Sequence, residues 1–125
     1  MPINSRSKGA IGERELAELL RSWGYAAQRG QQFKGSADSP DVAGVPGVHF
    51  EVKRTEKLQL YAAVDQARRD ADGKAIPVVA HRCNGNQGPR TSCKGDWLFV
   101  IGADDFRRLL ALYSPPGIIR LEDVL

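Results

Sequence analysis

The feature that most constrains this chain is a pair of strand-like segments, residues 41–45 and 48–54, joined around Pro46-Gly47. Pro then Gly suits the two central positions of a type II turn, because proline fixes a negative φ and glycine accepts the positive one that follows. A hairpin is expected, and its second arm carries Phe50-Glu51-Val52-Lys53. Side chains alternate along an extended strand, so Glu51 and Lys53 share one face while Phe50 and Val52 share the other. The first arm opens with Pro40-Asp41-Val42. A two-residue loop at Pro46-Gly47 pairs Val45 with Val48 and Asp41 with Val52, which leaves Asp41 on the face opposite Glu51. A bulge or an odd-length loop sets Asp41 across from Glu51 instead, and Gly44 and Gly47 make that irregularity cheap.

In that second register Asp41 and Glu51 form a hard oxygen-ligand site suited to Mg²⁺ or Mn²⁺, ions that take one or two protein carboxylates and complete their shell with water and substrate phosphate. Lys53 then sits where a water or a phosphate approaches the ion. The alternative is an edge strand with solvated charges on its polar face. His49 shares the face of Glu51 and Lys53 in a regular strand, which allows a contact to phosphate or water; a half-exposed structural histidine is the preferred reading.

A length of 125 residues suits one domain, residues 1–125, able to bury a core without disulfides or metal clamps. Apolar residues at 42% and charged residues at 26% exclude a wholly disordered chain. No apolar run approaches the roughly 18 residues of a membrane span, and Met1-Pro2-Ile3-Asn4-Ser5 lacks the apolar core of a signal peptide. A cytoplasmic protein without membrane partners is expected. The net charge of +3 and a pI near 9.1 are compatible with a polyanionic partner without requiring one. Cys83 and Cys93 lack metal-finger spacing, and although His81 lies nearby, two reduced thiols are preferred to a zinc site.

Leu16, Leu19, Leu20 and Trp23 recur at helical spacing and predict an amphipathic helix over residues 9–23, with Ser7 as N-cap and Gly24 ending it. Glu13 borders its buried stripe, whereas Glu15 and Glu18 turn toward solvent. Residues 25–29 read as a short strand, and residues 30–40 as a mobile loop running into Asp41. Leu60, Ala63, Val64, Ala67 and Ala71 predict a second helix over residues 58–72, ended by Gly73, whose narrow stripe lies close against a sheet with Gln66 beside it. Arg68 and Arg69 on this helix extend a basic surface begun by Arg54 and Lys57. Residues 76–82 form a strand that returns parallel to the Glu-x-Lys strand. A Gly-rich polar loop, the apolar strand 97–101, a third helix over 103–113 and a short tail complete an α/β fold with a mixed central sheet flanked by helices.

Glu13 in the first helix, Asp41 at the start of one strand, Glu51 and Lys53 on the next, and a following helix with Gln66 resemble the PD-(D/E)xK nuclease superfamily and its restriction-endonuclease-like core. Within it the chain is most similar to archaeal-type Holliday junction resolvases and related phage nucleases. Lys8-Gly9, Gly12-Glu13-Arg14-Glu15-Leu16, Arg29, Pro40-Asp41 and Glu51-Val52-Lys53 carry the likeness, which covers roughly residues 8 to 70 and does not reach the loop of residues 83–96.

The resemblance implies a metal-dependent endonuclease in a bacterial, archaeal or phage-infected cell. Asp41 and Glu51 ligate Mg²⁺, or Mn²⁺ in its place, with the Val52 carbonyl as a further ligand, and Glu13 holds or orients a metal-bound water. Lys53 positions or deprotonates the attacking water, or stabilises the pentavalent phosphate. Arg14, Arg29 and Lys34 contact the DNA backbone, and Arg54, Lys57, Arg68 and Arg69 line the same positive face. The expected substrate is a four-way junction cut by a homodimer, because resolution needs two symmetric cuts. A less selective endonuclease or exonuclease of the superfamily and a DNA-binding protein without chemistry are the other readings.

Overall fold

The structure is a computed structural model that describes residues 5–30, 40–55, 57–82 and 96–113. Its elements are α1 (Ser5–Ser22), β1 (Gln28–Arg29), β2 (Val42–Ala43), β3 (Val48–Arg54), α2 (Leu60–Ala71), β4 (Ile76–Arg82), β5 (Trp97–Val100) and α3 (Ala103–Tyr113). One sheet holds all five strands in chain order, with β3 and β4 parallel and the other neighbours antiparallel. This is the expected mixed α/β, restriction-endonuclease-like core.

Helix α1 buries Leu16, Ala17 and Leu20 completely or nearly so, and they pack on Val42, Phe50, Val52, Val78 and Ala80. A leucine side chain moved from water to such a layer contributes about 1.5–3 kcal/mol. The helix begins earlier than its pattern suggests, so Ser7 lies inside it and does not cap it. It ends as expected. The Tyr25 N–H reaches back to the Leu20 carbonyl (3.1 Å) and the Gly24 N–H to that of Arg21 (2.9 Å), with Gly24 at φ +98°. Trp23 falls just past the last helical residue and is 56% exposed, resting instead against Phe99 at the far edge of the sheet. Glu18 is exposed, but Glu15 is not turned to solvent: it forms ion pairs with Arg54 (3.1 Å) and Arg82, whose strands end beneath α1.

The β2–β3 hairpin takes the irregular register. Val42 pairs with Phe50, yet the turn closes with the Val48 N–H donating to the Val45 carbonyl (3.2 Å). Three steps from Val42 to Val45 therefore face two from Phe50 to Val48, and β2 carries one extra residue. Gly44, at φ +119°, accommodates it; a Cβ there would lie 2.4 Å from the Ala26 carbonyl oxygen, so only glycine fits. Gly47 takes φ +79° at the second position of the turn, as a type II turn requires.

Helix α2 lies on the opposite face of the sheet, where Ala63 and Ala67 meet Val79. Small side chains let its backbone approach closely. Asp72 in the left-handed region (φ 49°) ends it, followed by Gly73. Strand β4 runs in register beside all of β3, from Val48 opposite Ile76 to Arg54 opposite Arg82. The apolar β5 is an edge strand, and Leu98 is 60% exposed there. Of the strand expected over residues 25–29 only Gln28–Arg29 pairs.

Candidate active site

Strand β3 turns His49, Glu51 and Lys53 toward α2, and α2 answers with two polar residues on its inward side, Gln66 and Asp70. Four helical residues advance about 6 Å, and two strand residues about 6.6 Å, so the pairs stay in step. Lys53 Nζ donates to Gln66 Oε1 at 2.8 Å. One ligand atom each from His49, Glu51 and Asp70 lie within 4.8 Å of one another, with His49 Nε2 and Glu51 Oε1 hydrogen-bonded at 3.2 Å. His49 and Glu51 are 4% and 3% exposed, so the expected half-exposed histidine is a buried one that fixes a carboxyl. It is buried because α2 covers the face it shares with Glu51. Burial pushes the Glu51 carboxyl up to about 7; the His49 hydrogen bond opposes this, and the neighbouring charges of Asp41 and Asp70 add to it.

One step back from the Val42–Phe50 pair sets Asp41 across from Glu51, on the same face. The Asp41 N–H donates to the Phe50 carbonyl (2.9 Å), and its carboxylate Oδ2 accepts the Val52 N–H (2.7 Å). The side chain thus stands where a strand carbonyl would, and this tie holds the carboxylate against β3. Asp41 is not a member of the converging trio; it acts on Glu51 through its charge.

Glu13 points inward from α1 and is bound by Arg29 Nε at 2.8 Å. Its pKa is raised, chiefly by burial, against the lowering hydrogen bond from Arg29, and Asp41 raises it further. Asp41 is therefore the acid that both Glu13 and Glu51 feel. The converging donor set is carboxylate oxygens from two elements, β3 and α2, with one imidazole nitrogen, and His49 and Glu51 in it are buried. That composition suits a hard divalent cation. Beside it, Lys53 and Gln66 open into a cavity of about 330 Å³ lined by the polar Thr55, Lys57 and Gln59 and by the apolar Leu58, Ala62 and Ala63.

The residues expected to meet DNA divide into two groups. Arg14, Lys57 and Arg69 are exposed. Arg29 is held by Glu13, Arg54 by Glu15, and Arg68 lies 3.8 Å from Asp65 and 3.5 Å from Asp105. Lys34, the loop before Pro40, Cys83 and Cys93 lie outside the described residues. His81 Nε2 donates to the Thr55 carbonyl (2.8 Å). Sequence reading passed over Asp70, although its spacing of four from Gln66 places it on the same side of α2.

The family model described as archaeal Holliday junction resolvase (Hjc) matches residues 4–95, which runs past residue 70 and through the loop that the sequence likeness did not reach. No curated protein and no solved structure matches the chain.

Proposed function

Because the chain belongs to the archaeal Holliday junction resolvase family, we propose that it is a nuclease that cuts four-way DNA junctions with the help of Mg²⁺ or Mn²⁺. The observation that carries this reading is the hairpin register, which turns Asp41 to the face of Glu51 with Lys53 next along the strand. Asp41 and Glu51 would hold the ion, with the Val52 carbonyl as a further oxygen. When bound, the ion supplies charge neutralisation at the phosphate and lowers the pKa of a water.

The protein's own groups do the rest. Lys53, held by Gln66, offers its ammonium to the phosphate oxygens or to the attacking water from the solvent side of the buried acids. Glu13 orients water from the α1 side, with Arg29 fixing its carboxylate. The exposed cations Arg14, Lys57 and Arg69, together with Lys34, Arg29, Arg54 and Arg68, track backbone phosphates and position the duplex without reading its sequence.

Two symmetric cuts call for two copies of the site, so the active species is proposed to be a homodimer. Exposed Leu98, Phe99, Phe106, Leu110 and Leu112 provide an apolar surface of the kind that an isologous interface covers. Among the described residues no helix is long and apolar enough to cross a membrane.

The test compares a labelled four-way junction with a linear duplex of equal composition in Mg²⁺, alongside sedimentation of the protein with and without junction. Paired cuts confined to the junction by a dimer are expected, with affinity falling steeply as salt rises. A monomer that nicks both substrates at similar rates would leave a general nuclease and discard junction selectivity.

A further inference from the structure

We propose that Asp70, on the last turn of α2, is a further ligand of the divalent cation, reaching it from the helix side of Glu51. The inference rests on the reading of Asp41 and Glu51 as cation ligands and adds a residue that the hairpin does not supply.

The argument starts from the matched pairs between β3 and α2. In the first, an ammonium meets an amide oxygen, and the two complement each other. The second brings a carboxyl to a carboxyl, with Glu51 almost wholly removed from water. Two carboxylates sharing a site repel unless a positive charge or a proton lies between them. Helix α2 has small residues at Ala63, Ala67 and Ala71 on its buried stripe, so an acid at position 70 is not forced by packing. The group is also not a plain acidic cluster. His49, itself buried, brings Nε2 within the same 4.8 Å, and an imidazole nitrogen beside two carboxylates is a donor set for a divalent ion. Carboxylate and imidazole together suit Mn²⁺, which accepts both, better than Mg²⁺, which favours oxygen.

Mn²⁺ alone is the probe. Electron paramagnetic resonance counts free Mn²⁺ during titration of the full chain without DNA, for wild type, Asp70→Asn, Asp70→Glu, Asp41→Asn and Glu51→Gln, with thermal melts as the folding control. Asp70→Asn keeps the shape of the side chain and is expected to weaken Mn²⁺ binding about tenfold or more, while Asp70→Glu recovers part of the loss. Should Asp70→Asn not fold, Asp70→Ser answers the same question without the amide. Wild-type affinity in a folded Asp70 variant, with affinity lost in Glu51→Gln, overturns the proposal and leaves Asp70 as a proton-sharing neighbour; the reading of Asp41 and Glu51 then stands. Wild-type affinity in both Asp41→Asn and Glu51→Gln removes that reading and the proposal with it.

Discussion

The two faces of β3 differ more than neighbouring residues of one strand usually do. Toward α1, Phe50 and Val52 meet Leu16, Ala17 and Leu20 in an apolar cluster, and the acids Glu13 and Glu15 of that helix are each paired with an arginine. Toward α2, His49, Glu51 and Lys53 meet Asp70 and Gln66, beside a smaller apolar cluster of Ala63, Ala67 and Val79 with Leu58, Val64 and Val100 packed against it. Burial on the first face stabilises the fold, whereas burial on the second raises the cost of keeping its acids ionised. Adjacent positions should therefore respond to substitution in opposite ways.

The largest expected effect lies on the α2 face. Glu51→Gln and Asp41→Asn should each lower the rate of junction cleavage by about 10³-fold or more, roughly 4 kcal/mol in the barrier, while the melting temperature holds or rises. Wild-type cleavage by either folded variant breaks the comparison at its root. On the α1 face, Leu16→Ala should destabilise the chain by about 3 kcal/mol, read from denaturant unfolding, with the cleavage rate per folded molecule unchanged. A loss of rate without a loss of stability would show that α1 does more than pack.

Lys53→Ala should slow cleavage about 100-fold, yet leave Mn²⁺ affinity close to wild type, since a cation does not ligate a cation. Equal losses of rate and of metal affinity would move Lys53 into the binding site proper. The smallest effect concerns pH. The Glu51 carboxyl, near 7 in the folded chain against an ordinary 4.5, binds its proton more tightly folded than unfolded. Its contribution to stability is complete below about 4.5 and is lost as pH rises through about 7. Without divalent ions, the melting temperature of wild type relative to Glu51→Gln should fall by a few degrees over that range. A flat difference would place Glu51 in a more solvated setting than its burial indicates.

Much of this division was legible in the sequence, and for identifiable reasons. Alternation along Phe50-Glu51-Val52-Lys53 assigns each residue to its face. Leu16 and Leu20 one turn apart, and Ala63, Ala67 and Ala71 at the same spacing, mark the two helical stripes that cover the sheet. The strand over 76–82 and the helix over 103–113 match their observed bounds, because turn-forming residues bracket an apolar run in the first and a 3.6-residue period in the second. What local pattern did not carry was partnership across the chain. Glu15 looked like a solvent-facing acid because its partners Arg54 and Arg82 reach it only once β3 and β4 lie side by side. His49 looked half-exposed because nothing in its own strand reveals that α2 closes over it. Asp70 escaped notice for the same reason: its neighbour Glu51 lies on another element, and only the crossover between them brings the two together.

The extra residue at Gly44 has a consequence for how such a chain can fail. The face that Asp41 occupies is stored in the bulge between Val42 and Val45, and not in the identity of any acid. A bulkier residue at position 44 that excluded the bulge would leave Glu13, Asp41, Glu51 and Lys53 all present in the gene, favour the regular hairpin that pairs Asp41 with Val52, and deliver the aspartate to the side of Phe50. Lineages descended from such a substitution would keep every signature letter of a nuclease and lose the enzyme, so among homologous chains of this spacing the glycine at position 44 is a sharper mark of activity than the letters themselves.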